Sequence, residues 1–470
     1  MAGFSLRVVA IAGSLVLLVV SLRGPLQRAT LLTQAEVHAR ATEYTLATQA
    51  YQRLLSLRPS DAAAHLGLGR VYLRQGRYAQ AEEEFARALA SDANQVEAMN
   101  GLAAALGSLG RIDSAIPLWR ATIERDPTNA EAHYRLGLAY LLRSRFGQAR
   151  EELEAARRGR PGDPATYYYL GVLTSRGGSP QAAEFFEAAQ ALAPDSEWAQ
   201  RALQLQRAIA EAQTFPAQAP RAAYLGQAYL RLGLPNLAAE AFERALELDP
   251  TLDLARTYWG YALWSMGRYA QGLSVLKEAS LRDKRNALNH YFLALTLSAR
   301  GRVAAALRQA RSAVELDPEN PALRAELGAL YAIARDYASA REQYQAATEA
   351  APEELSFHLL RARFHLEHLV WLDEGFEAAR RAVELDPQSA EAHDLLGWAQ
   401  QLLGDPQTAE ESLLRALELD PGLASAYYHL GAVYIRRARW DDARWAYMRA
   451  IDLDGEGFYR ERALNALAEL

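Results

Sequence analysis

Apolar residues recur along this chain at helical spacing, in pairs of stripes that return every 34 residues. In 62–95, His65, Leu68, Gly69 and Tyr72 share one face of a first helix, and Ala81, Phe85 and Ala88 share one face of a second. The pair returns weakly in 96–129 (Leu102, Ala115, Trp119, Pro127) and clearly in 130–163 (Leu136, Gly137, Tyr140, Ala149, Ala156, Pro161). It returns one residue short in 164–196, with Leu170, Gly171, Ala182, Phe186, Ala189 and Pro194. A second run starts near 219 with Leu225, Gly226, Tyr229, Ala238, Phe242, Ala245 and Pro250. It continues through 253–286, 287–320 and 321–354, carries one insertion in 355–389, and regains register in 390–423 and 424–457. In 28–61 the second helix is clear (Ala47, Tyr51, Pro59) and the first is weak, which brings the count to about twelve. A lone hairpin cannot bury its stripe, so the hairpins must stack into an all-α solenoid.

The punctuation agrees with that period. Gly76, Gly110, Gly233, Gly267, Gly301 and Gly404 fall between paired helices, where a left-handed residue closes a helix. Gly69, Gly137, Gly171, Gly226 and Gly431 fall where two helices cross closely. Leu-Asp-Pro at 248–250, 316–318, 385–387 and 419–421 ends second helices, because a residue before proline disfavours the helical region. Asn129 and Asn320 are candidate N-caps, the latter followed by Pro321 at the first helical position.

With these residues in place, the chain resembles the tetratricopeptide repeat family over nearly all of its length after residue 27. The resemblance implies a right-handed superhelical solenoid that binds other proteins through a concave groove lined by first helices. One departure is the fourth position of each repeat, often tryptophan in the family and here mostly His, Tyr, Met or Arg. The family's groove positions map onto Tyr134, Tyr168, Tyr261, Trp264, Tyr291, Trp398 and Tyr428. Rings with polar tips suit peptide recognition, since they join contact area to a hydrogen-bonding group. Arg70, Asn100 and Arg363 also map there, but they are scattered and the chain has only two lysines, so a clamp for acidic chaperone tails is not expected.

Two segments fall outside the repeats. Val8 to Leu22 is an uncharged run between Arg7 and Arg23, stopped by Pro25. It reads as a membrane anchor within residues 1–27, with the repeats on the extracytoplasmic side; a cleaved signal peptide, leaving a secreted or periplasmic chain, is the alternative. Residues 197–218 break the period: a helix is expected from Glu197 to about Gln213, followed by 214–220, where Pro216 and Pro220 oppose helix. They divide the repeats into a first array, 28–196, and a second, 219–457, or form a degenerate repeat within one continuous superhelix; a capping helix in 458–470 follows. Residues 1–218 carry a net charge of +2 and residues 219–470 carry −8, so a basic partner would prefer the second array.

The total charge of −6 argues against a general nucleic-acid binder, and zero cysteines exclude disulfides, thiolate metal sites and a cysteine nucleophile. No phosphate-binding loop, G-x-S-x-G or H-E-x-x-H occurs. His65, His133, His290, His358 and His393 all sit at the fourth position, and recurrence marks a structural role. His358, His365 and His368 cluster near Glu367 at a metal-like spacing, and packing in the irregular repeat is the preferred reading. The expectation is a non-enzymatic, membrane-tethered scaffold without cofactor or metal, holding a helical or extended segment of another protein. The alternative is an oligomer or filament joined through open solenoid ends.

Overall fold

The computed structural model describes residues 26–176, 181–454 and 457–470. The segment from Val8 to Leu22 lies outside them, and no helix among the described residues is long and apolar enough to cross a membrane. The described residues are helical, with turns between helices and no strand. They form twelve hairpins, five before the break and seven after it, with single helices at Glu197–Gln213 and Phe458–Ala468. The weakly patterned first repeat is complete: a helix over 26–40 precedes Tyr44–Leu57.

Most hairpins are closed by a recurring contact. A glycine on the first helix lies under a large side chain on the second, so a Cβ at Gly226 would come within 2.7 Å of Phe242, and one at Gly137 within 2.8 Å of Leu153. Phe85, Phe186 and Phe242 are fully buried. Among the described residues, the turn between the two helices takes a left-handed residue. It is Gly at 76, 110, 233, 267, 301 and 404, but Thr42, Ser144, Arg335, Leu369 and Ala438 at the same place in other hairpins. The insertion in 355–389 falls in this turn, where Trp371 adds a second left-handed residue, φ 47°.

The fourth position has a defined task. His65 Nε2 lies 2.8 Å from the Pro59 carbonyl oxygen six residues earlier, and His358 Nε2 lies 2.9 Å from that of Pro352. His133, His290 and His393 reach the carbonyls of Pro127, Lys284 and Pro387, and Arg256 and Arg324 reach those of Pro250 and Pro318. The side chain thus satisfies an orphan carbonyl left where the preceding second helix stops. Those second helices end at Leu248, Leu316, Leu385 and Leu419, at the Leu-Asp-Pro signals. Asn320 accepts from Ala322 and Leu323, and Asn129 accepts from Ala132, as N-caps do.

The chain divides into two compact units. One takes in residues up to Arg135 together with Ala438–Leu470, and the other is Leu136–Arg437. The break at 197–218 therefore lies inside the second unit. Pro220, expected to oppose helix, sits in the first turn of Gln218–Arg231, where a missing N–H costs nothing. In the first unit, Phe458–Ala468 packs on Trp440–Asp454 and buries Ala463. That last hairpin is not an open end. Asp452, 5% exposed, accepts hydrogen bonds from Thr45 Oγ1 and Gln75 Nε2, and Arg449 Nη1 donates to the Thr42 carbonyl.

Candidate protein-binding face

Two successive first helices of the second unit, Asp253–Ser265 and Ala287–Ala299, carry a continuous set of rings, and Pro321–Ile333 is the next first helix. Phe292 is the buried centre of the set. Tyr261 stacks on Phe292 with centroids 4.4 Å apart and planes 16° apart, and Trp264 stacks on Tyr261 at 5.4 Å and 16°. Tyr291 lies 5.2 Å from Phe292, and Tyr258 bridges Phe292 and Phe242 at 5.9 Å each. Tyr258, Tyr261, Trp264 and Tyr291 are half-buried, so each keeps some ring surface open. The Trp264 indole Nε1 is enclosed without a hydrogen-bond partner among the described residues.

Glu326 completes this face. It stands 34 residues after Phe292 and 68 after Tyr258, where the two preceding hairpins have rings. It is half-buried and makes no ion pair or hydrogen bond among the described residues. Burial alone raises its pKa; no nearby cation offsets the desolvation. Burial, with the Glu326 charge adding to it, pushes the hydroxyls of Tyr291 and Tyr344 up to about 12. A carboxylate set among half-open rings and lacking a cation is an arrangement that a Lys or Arg side chain would satisfy, by charge and by cation–π contact.

The other mapped aromatics do not join this set. Tyr168 is fully buried against Phe186, Tyr169 and Trp198, its hydroxyl enclosed without a partner and its pKa raised by desolvation. It is an interior residue and offers a ligand no surface. Trp398 is 9% exposed and stacks on His429 at 4.5 Å, while His429 Nδ1 lies 2.7 Å from Asp394 Oδ1. Tyr428, half-buried, edges onto the same histidine at 5.6 Å. Tyr134 is half-buried in Ala130–Leu142 and belongs to the first unit.

The clustered histidines are engaged separately. His358 is bound to the Pro352 carbonyl, His365 Nδ1 lies 3.0 Å from the Val370 carbonyl, and His368 packs on Tyr337 and Phe364. No group of three His, Cys, Asp or Glu among the described residues could hold a metal ion.

Stacked helical hairpins of near-constant length, most of them closed by a small residue under a large one, define a helical-repeat protein. Family profiles described as tetratricopeptide repeat match residues 32–96, 100–164, 143–197, 259–321, 325–390 and 395–457, and another matches 221–252. The chain belongs to the tetratricopeptide repeat family. Among solved structures it is similar to the APC/C hetero-tetramer Cut9–Hcn1, at 13% identity over 93% of this chain and 96% of that one, TM-score 0.44. It is also similar to yeast Tom70, at 16% identity over 94% and 95%, TM-score 0.40. A third is YrrB, described as a TPR protein with an unusual peptide-binding site, at 23% identity over 41% and 97%, TM-score 0.33.

Proposed function

We propose that this chain is a non-enzymatic scaffold that holds a segment of another protein on the first-helix face around Tyr261, Trp264 and Tyr291. The observation that carries this reading is Glu326, a half-buried carboxylate without a cation, set beside those rings. It selects a segment, helical or extended, that presents a Lys or Arg side chain. The net charge of −8 on residues 219–470 favours the same partner. Residues 8–22 would tether the scaffold to a membrane with the repeats on the extracytoplasmic side. Support for that is the uncharged run between Arg7 and Arg23; a secreted or periplasmic chain after cleavage is the other outcome.

Mild cross-linking in the native membrane, isolation of the tagged full-length chain and mass spectrometry test this reading. A stoichiometric partner is expected, lost when Tyr261→Ala is combined with Trp264→Ala and weakened about tenfold by Glu326→Gln. A partner retained by all three substitutions would move the binding face elsewhere. Recovery of the chain alone, in a ladder of multiples, would replace the scaffold with self-assembly. Alkaline extraction of the same membranes reads the tether, since an anchored chain stays with the lipid.

A further inference from the structure

The hairpin of Gln218–Arg231 and Pro235–Leu248 is preceded by one helix, Glu197–Gln213, where other hairpins follow a pair. The chain turns through 214–217 directly into the next first helix. The face that a preceding second helix would cover is left with a cleft of about 440 Å3. Ala222, Leu225 and Ala241 line it together with Arg176, Arg221 and Arg244.

Two sequence choices open this cleft. Ala222 stands at the fourth position, where the other hairpins carry side chains such as His65, Met99, Tyr167 or Arg256. Arg221, one residue earlier, donates from Nε to the Phe215 oxygen at 2.5 Å, so Ala222 leaves the fourth position itself empty. Leu225 is half-buried as a result, whereas Leu68, Leu136 and Leu170 at the same position are at most 2% exposed.

The charges at the mouth are unbalanced. Arg87, at the position of Arg244 in an earlier hairpin, is held by Glu83 and Glu84 of its own helix. The residues equivalent to those two are Glu240 and Ala241. Glu240 is engaged by Arg176 through both Nε, at 2.9 Å, and Nη2. Arg244 is thereby left exposed and without an ion-pair partner among the described residues. Between other neighbouring hairpins an arginine meets a carboxylate of the preceding hairpin or the turn after it, as Arg111 meets Glu82 and Arg381 meets Glu353.

We propose that this cleft receives an acidic amphipathic helix of a partner protein, seated where a second helix is missing from the stack. A Glu or Asp of that helix sits between Arg221 and Arg244, and its apolar neighbours rest on Ala222, Leu225 and Ala241. Arginine's planar fork suits such a carboxylate, and the apolar floor has the ridge spacing that helices pack into. The inference rests on the scaffold reading above but uses a different surface and the opposite charge.

A phage-displayed library of helical peptides randomised along one face, selected on the full chain, tests it. Counter-selection uses Ala222→His, which fills the cleft with the residue that five other hairpins carry there and so keeps the fold. Enriched peptides are expected to be rich in Glu or Asp beside Leu or Ile. By fluorescence anisotropy they should bind about tenfold or more weakly to Arg221→Gln with Arg244→Gln, and to Ala222→His. Tyr261→Ala with Trp264→Ala should leave that binding unchanged. Peptides without an acidic excess, no enrichment over the counter-selection, or binding indifferent to the two arginines would overturn the proposal. Binding lost only on Tyr261→Ala with Trp264→Ala would remove the cleft and leave the aromatic face standing.

Discussion

The His365 ring is held fully inside while one of its nitrogens lacks a hydrogen bond among the described residues. Its Nδ1–H donates to the Val370 carbonyl at 3.0 Å, which leaves the Nε2 lone pair enclosed without a donor. Trp371 meets the ring edge-on at 6.1 Å, and Glu374, shared by Arg341 and Arg361, has its Oε2 3.7 Å from His365 Nε2, beyond hydrogen-bond distance. Desolvation lowers the His365 pKa to about 4, with Arg361 and Arg341 acting in the same sense and Glu374 opposing them. The folded state therefore holds this ring neutral at pH values where the unfolded chain protonates it. Between pH 6.5 and pH 4 the unfolded state binds more protons, so stability is full above that window and falls as pH drops through it. The expected loss is about 3 kcal/mol, to be read as the difference in urea unfolding between pH 7 and pH 4. His365→Gln should flatten that difference while leaving the acid response of the carboxylates in place; an unchanged slope would show that the ring titrates normally.

At the scale of the hairpin, the glycine-under-aromatic contact decides stability. Phe242 is fully buried over Gly226, and Leu136 is 1% exposed beside Gly137. Phe242→Ala should cost roughly 3–5 kcal/mol and Leu136→Ala roughly 2–5 kcal/mol, because neither cavity can collapse onto a glycine. Denaturant unfolding followed by circular dichroism checks both, and a neutral result at either would mean the helical register is wrong. This level of structure was legible in advance. The 34-residue period placed the pairs, the six turn glycines and the Leu-Asp-Pro stops. The helix over 26–40 was not, because few of its side chains are buried and its stripe is correspondingly faint. Pro220 misled as a breaker because the first helical turn tolerates it. Of the mapped aromatics, Tyr261, Trp264 and Tyr291 do share one ring system, while Tyr168 is interior. The pattern within one hairpin says which stripe is apolar, but not how completely the next hairpin covers it. Glu326 left a signal that could have been read, a carboxylate aligned with Tyr258 and Phe292 in the preceding hairpins.

A stack of hairpins couples each unit mainly to its neighbours, so sequence-distant parts of such a chain should unfold independently. Asp452 makes an exception inside the first compact unit. It lies more than 400 residues after Thr45 and accepts from both Thr45 and Gln75 in a buried site, and desolvation raises its pKa. Removing that acceptor leaves two donors unserved, at a cost of about 1–3 kcal/mol. That cost falls on both ends of the sequence together. Asp452→Ala should therefore speed hydrogen exchange in Tyr44–Leu57 as well as in Trp440–Asp454, while amides of 287–333, in the other unit, keep their wild-type rates. Exchange that rises in 440–468 alone would mean the two ends do not meet in solution. The last hairpin would then be a free end, and association of chains through it would again be open. With both ends responding together, the surfaces left for a partner are the faces of the hairpins themselves, where Glu326 and Arg244 lie.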